Sequence, residues 1–149
     1  YLELSQNELS KIPSEIGNLI NLTQLRLQDN QYTEGIPSEI VNLTNLNGLY
    51  LHNSGLTGEI PPEIGNLTNL TDLYLYDNQL SGEIPPEIGN LINLTECGLA
   101  GNILTGVIPE EICNQGDTNP EVGYNKFCPP YPECISQGDI DSQDTSNCP

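Results

Sequence analysis

The one histidine of the chain, His52, sits in the segment Tyr50-Leu51-His52, and 24 residues later Tyr74-Leu75-Tyr76 repeats the spacing. An imidazole that titrates near neutrality can move a proton, ligate a metal or activate a nucleophile. The partners for those roles are missing. No Ser or Cys stands at a recognisable motif spacing from His52. There is no His-rich metal motif, no Gly-rich phosphate loop, and no carboxylate pair that stands apart from the periodic pattern of the chain. The expectation is a chain that is not an enzyme, with no cofactor and no metal site. Tyrosine and histidine at alternating positions suit contact instead, because their rings offer broad amphipathic area at low entropic cost.

Cysteine is the second reactive type. Cys113, Cys128, Cys134 and Cys148 fall in a loop-like, apolar-poor stretch at the end of the chain. Four cysteines so placed read as two disulfides, with three pairings open, of which Cys113–Cys134 with Cys128–Cys148 is one. A zinc site would call for closely paired cysteines or histidines, and that stretch has no histidine. Disulfides imply an oxidising compartment, hence an extracellular or cell-surface location.

The elements that must position these residues are copies of one unit. Leu25, Leu27, Asn30, Ile36-Pro37, Ile40, Leu43 and Leu46 recur as Leu49, Leu51, Ser54, Ile60-Pro61, Ile64, Leu67 and Leu70. They recur again as Leu73, Leu75, Asn78, Ile84-Pro85, Ile88, Leu91 and Leu94. Five copies open at Leu2, Leu25, Leu49, Leu73 and Cys97, the first one residue short, and Val122, Asn125 and Phe127 represent a partial sixth. The Leu-x-Leu alternation predicts a short strand with both leucines inward, and stacked copies predict a parallel sheet with strands about 4.8 Å apart. Ile-Pro then bars a helix from running through it, and the next segment is long enough for two turns of 3₁₀ or α-helix closed by Gly or Asn. Glu15, Glu39, Glu63, Glu87 and Glu111 open those turns, where the helix dipole favours an acid. Asn7, Asn30, Asn78, Asn102 and Asn125, with Ser54 in the same column, read as a ladder bonding the backbone of adjacent copies. The columns Asn42, Asn66, Asn90 and Asn21, Asn45, Asn69, Asn93 read the same way. Cys97 occupies a leucine column and is expected to be buried and free.

The pattern Leu-x-x-Leu-x-Leu-x-x-Asn-x-Leu-x-Gly-x-Ile-Pro-x-x-Ile-Gly-Asn-Leu resembles the leucine-rich repeat in its plant-specific 24-residue subclass. It is similar to polygalacturonase-inhibiting proteins, plant receptor-kinase ectodomains and repeat-bearing bacterial or algal surface proteins. The resemblance implies an α/β solenoid: a right-handed superhelix with a parallel β-sheet on its concave face and short 3₁₀ or α turns on its convex face. Residues 1–112 are then five repeats without an N-terminal cap, and residues 113–149 a partial sixth repeat and a disulfide-stapled C-terminal cap. The subclass implies a recognition scaffold and leaves the ligand open.

Removing every column the stack needs leaves few residues. On the outward strand face these are Arg26, Gln28, Asp29, Tyr50, His52, Asp72, Tyr74, Tyr76 and Asp77, the candidate contacts for a protein, peptide or glycan ligand. The fifth copy, with Gly98, Ala100 and Gly101, is expected to lie outside the footprint. Three Lys and Arg against 21 Asp and Glu, a formal charge of −18, argue against nucleic acid and anionic membrane surfaces as partners. No stretch reaches the roughly 18 apolar residues of a membrane span. The competing expectation is a structural spacer that stacks end to end through an uncapped first strand. Binding of ice or mineral would need flat Thr-rich columns, and only Thr23, Thr71 and Thr95 approach one, with Asn47 interrupting.

Overall fold

The computed structural model describes residues 1–149. Its strands, in chain order, are β1 (Leu2–Glu3), β2 (Gln24–Arg26), β3 (Gly48–Tyr50), β4 (Thr57–Gly58), β5 (Asp72–Tyr74), β6 (Gln79–Gly82), β7 (Glu96–Gly98), β8 (Ile103–Val107) and β9 (Lys126–Cys128). One parallel sheet has the order β1-β2-β3-β5-β7. Its register pairs Leu2 with Leu25, Leu25 with Leu49, Leu49 with Leu73 and Leu73 with Cys97, so each copy, 23 residues for the first and 24 for the rest, advances one strand. Leu25, Leu49, Leu51, Leu73 and Leu75 are fully buried, which turns the residues between and after them to the opposite face. The chain is the solenoid expected from its repeat.

A second parallel sheet, β4-β6-β8-β9, was not expected, since one strand per copy was read from the pattern. Its cause is local. In Leu56-Thr57-Gly58, Leu80-Ser81-Gly82 and Leu104-Thr105-Gly106 the leucine points inward, and the glycine takes a φ of 75°, 78° or 81°, a left-handed geometry that lets the chain turn. The first two copies read Leu9-Ser10-Lys11 and Tyr32-Thr33-Glu34, without that glycine, and neither forms a second strand.

The opposite side carries 3₁₀ helices over Ser14–Asn18, Ser38–Asn42, Pro62–Asn66, Pro86–Asn90 and Glu110–Cys113. Each follows a proline whose φ lies between −65° and −71°. In the first four helices the amide of the next leucine donates to the carbonyl of the buried isoleucine, closing the turn on a leucine rather than on Gly or Asn.

Asparagine ties the copies together. Asn78, 9% exposed, donates from Nδ2 to the Leu51, Leu75 and Tyr76 carbonyls, and its Oδ1 accepts from the Ser54 and Leu56 amides. Asn30, Asn102 and Asn125 repeat the arrangement, whereas Asn7 is exposed and reaches only Leu4 and Ser5 of its own turn. Ser54 spans the copies only at long range, its hydroxyl donating to the Leu27 carbonyl at 3.4 Å and accepting from the Asn30 amide at 3.5 Å. The Tyr32 hydroxyl, buried where other copies have leucine, donates 3.2 Å to the Leu27 carbonyl, the one that an Asn at position 54 would serve. The Asn45, Asn69 and Asn93 amides donate 2.8 Å to carbonyls one copy back. Asn42, Asn66 and Asn90 correct the expectation: they end 3₁₀ helices, face solvent and take no part in a ladder.

Past the fifth copy, Cys113–Cys134 and Cys128–Cys148 form the two disulfides, and Cys97 is free and buried. The short helix α1 (Gln137–Asp141) precedes Gln143, which donates to the Val122 carbonyl and accepts from the Phe127 amide. The last backbone edge of the stack is thereby bonded.

Candidate functional site

The outward positions of β2, β3 and β5 meet as one continuous run of rings. Pairing sets Arg26 beside Tyr50 and Tyr50 beside Tyr74. The Arg26 guanidinium carbon lies 4.6 Å from the Tyr50 ring centre, within cation–π range. Tyr50 and Tyr74 meet edge to face at 5.4 Å, and Tyr74 meets Tyr76 the same way at 5.8 Å. His52 stacks on Tyr76 at 4.5 Å with the planes 16° apart and touches Tyr74 edge-on at 5.9 Å. All five side chains are half-buried with no segment of the chain folded over them. The structure thus brings five of the nine candidates, Arg26, Tyr50, His52, Tyr74 and Tyr76, into one contiguous patch, while Gln28 stands just past β2, next to Asp29, whose amide donates to the His52 carbonyl.

The three aspartates lie at its rim. Asp29 and Asp77 occupy the tight turn after the strand, with φ of 58° and 54°, a conformation Asp tolerates better than most side chains. Asp29 Oδ1 accepts from Asn53 Nδ2 at 2.7 Å, and Asp72 Oδ2 accepts from Thr71 Oγ1 at 2.7 Å. Burial raises the Tyr50, Tyr74 and Tyr76 hydroxyls above their ordinary pKa, and the charges of Asp72, Glu96 and Asp77 push the same way. His52 is held below its ordinary value by burial, against an opposing pull from Asp29 and Asp77. The rings are therefore uncharged near neutral pH in a negative surround.

Two glycines and one glutamate belong to the patch and were not among the candidates. Tyr50 folds back over Gly48, where an added Cβ would come within 2.6 Å of the ring. Tyr74 and Tyr76 lean over Gly98, whose Cβ would come within 3.4 Å and 3.1 Å of them. Gly98 of the fifth copy thus lies directly against two tyrosines of the patch. Glu121 extends the Tyr74–Gly98 row by a bridge to Gly98. Extending the register through Val122 would have found it, since Glu121 precedes Val122 as Gly98 precedes Leu99.

A stack of β-strand and 3₁₀ coils with an Asn ladder and an uncovered strand face defines a solenoid repeat protein. The chain belongs to the leucine-rich repeat family: the family model for a leucine-rich repeat region matches residues 1–111. Among solved structures it is similar to the plant peptide hormone receptor RGFR1 in complex with RGF2, at 40% identity and a TM-score of 0.81 over 85% of this chain and 20% of that one. The BIR2 ectodomain from Arabidopsis thaliana matches at 35% identity and a TM-score of 0.79 over 89% of this chain and 71% of that one. A plant ice-binding protein matches at 33% identity and a TM-score of 0.77 over 85% of this chain and 42% of that one. The chain spans about a fifth of the length of the receptor RGFR1. No curated protein matches it.

Proposed function

We propose that this chain is a non-catalytic, extracellular recognition module that binds an extended peptide or a protein segment across β2, β3 and β5. The observation that carries the reading is the ring run from Arg26 through Tyr50 and Tyr74 to Tyr76 and His52, contiguous over three strands and uncovered. Aromatic and arginine side chains dominate binding energy in protein interfaces, and this patch gathers both. Support also comes from the similar receptor RGFR1, which was solved with RGF2 bound. The two disulfides fit an oxidising, extracellular setting.

Ice binding, suggested by one structural relative, has weaker support. The Thr71 and Thr95 hydroxyls donate to the Asn47 and Thr71 carbonyls, so they are engaged within the stack rather than presented to a lattice.

The test is a random peptide library displayed on phage and selected against the 149-residue protein, with affinities of the selected peptides measured by calorimetry. Tyr74→Ala with Tyr76→Ala should weaken binding by about 2–4 kcal/mol, the range of interface hot spots, while leaving thermal unfolding cooperative. Unchanged affinity in that variant would reject the patch as the binding face.

A further inference from the structure

The chemistry around the rings narrows the ligand further. Three polar atoms, Arg26 Nε, Gln28 Oε1 and His52 Nδ1, are buried without any hydrogen-bond partner in the protein. Glu3 Oε2 is the nearest carboxylate oxygen to Arg26 Nε at 3.9 Å, beyond hydrogen-bond length. Native proteins seldom leave buried polar atoms unpaired, and the two on Gln28 and His52 belong to equivalent positions just past β2 and β3. They mark a face whose polar groups the chain itself does not fully pair.

Charge selects the kind of partner. Asp29, Asp72, Asp77, Glu96 and Glu121 all bear on the rings, and Arg26 is the one cation on this face. The remaining cations, Lys11 and Lys126, lie elsewhere: Lys11 beside the first 3₁₀ helix and Lys126 in the second sheet. Arg26 already shows what these rings accept, since its guanidinium sits over Tyr50. Tyr74 and Tyr76, between Asp72 and Asp77, have no such cation from the chain. An acidic segment would meet carboxylates here, and a neutral one would leave them uncompensated.

We propose that Tyr74 and Tyr76, flanked by Asp72 and Asp77, receive a Lys or Arg side chain of a basic peptide laid across the strand face. The proposal rests on the preceding reading of this face as the binding surface. The cation would sit against these rings as Arg26 sits over Tyr50, with the carboxylates as its counter-charges.

The experiment titrates isotope-labelled protein with Ac-Gly-Arg-Gly-Arg-Gly-amide and with its Lys, Gln and Glu counterparts, reading the ring resonances of Tyr50, Tyr74, Tyr76 and His52. The Arg and Lys peptides should shift the Tyr74 and Tyr76 rings saturably, and the Gln peptide should bind about tenfold or more weakly. Asp72→Asn with Asp77→Asn should weaken the Arg peptide by about tenfold, while Glu63→Gln with Glu87→Gln, an equal charge change on the helical side, should alter it by less than about twofold. Equal losses from both pairs would reduce the effect to diffuse attraction by an acidic protein and overturn the proposal. A Gln peptide as tight as the Arg peptide would do the same. Neutral or acidic library peptides that lose affinity in the Tyr74/Tyr76 variant would sink the cation site yet leave the binding face standing. Ring resonances unmoved by every peptide would remove both.

Discussion

Asn78 holds the third and fourth copies together beside the proposed site, and Asn78→Ala should be the most damaging single substitution that leaves the leucine core intact. The Ser54 and Leu56 amides have its Oδ1 as their acceptor at 3.1 and 3.0 Å, both buried. Orphaning a buried donor costs about 1–3 kcal/mol, so two cost about 2–6 kcal/mol. The Leu51 and Leu75 carbonyls lose a donor as well, at smaller cost because each oxygen retains a second lone pair. An expected loss near 4 kcal/mol is about a fifth to over half of the roughly 7–22 kcal/mol that a chain of this length has in total. At about 2–4 °C per kcal/mol, the melting temperature should fall by roughly 10 °C.

Position matters as much as magnitude. A solenoid is stabilised through nearest-neighbour contacts, so a weakened joint mid-stack should split one unfolding transition into two. Urea unfolding followed by both circular dichroism and tyrosine fluorescence reads this directly. Asn7→Ala supplies the control, because Asn7 sits in the same column yet is exposed and bonds only within its own turn. It should change stability by less than about 0.5 kcal/mol. A loss below about 1 kcal/mol for Asn78→Ala, or equal losses for the two variants, would refute the view that inter-copy amide bonds hold the stack.

Three further outcomes are expected. His52 is depressed below 6.5, so the unfolded chain takes up a proton that the folded one refuses. Stability should therefore decline as pH falls below about 6.5, and His52→Gln should flatten that decline in thermal melts; an NMR titration placing His52 above 6.5 would contradict it. Cys113→Ser with Cys134→Ser opens a loop of 21 residues and should cost about 3 kcal/mol in urea unfolding. Gly48→Ala should push the Tyr50 ring off its strand, altering the Tyr50 resonances and weakening ligand binding while the melting temperature shifts by only a few degrees, about 1 kcal/mol.

The stack could be read from the chain because its physics is periodic. An inward leucine such as Leu49 or Leu73 has the same neighbours one copy away, so its column reports its environment. The outward alternation that placed Tyr50, Tyr74 and Tyr76 on one face is legible for the same reason. Periodicity fails where one residue type recurs for two physical causes. Asn78 and Asn66 repeat equally well, but one is an inward bridge and the other a solvent-facing helix end. It fails again where a small local change switches an element on, as Gly58 and Gly82 do for the second sheet.

The patch lies beyond periodic reading for a different reason. Which way a tyrosine leans depends on the gap beside it, and a gap is a residue with nothing to show. Gly48 leaves room for Tyr50 to fold back over its own strand, and Gly98 leaves room for Tyr74 and Tyr76 to lean over the next one. Read as a column, Gly98 and Ala100 look like an empty copy. Placed beneath the rings, Gly98 is what allows Tyr76 to lie flat enough to stack on His52. Departures from the repeat mark the surface proposed to bind, and its shape comes from large and small departures lying side by side.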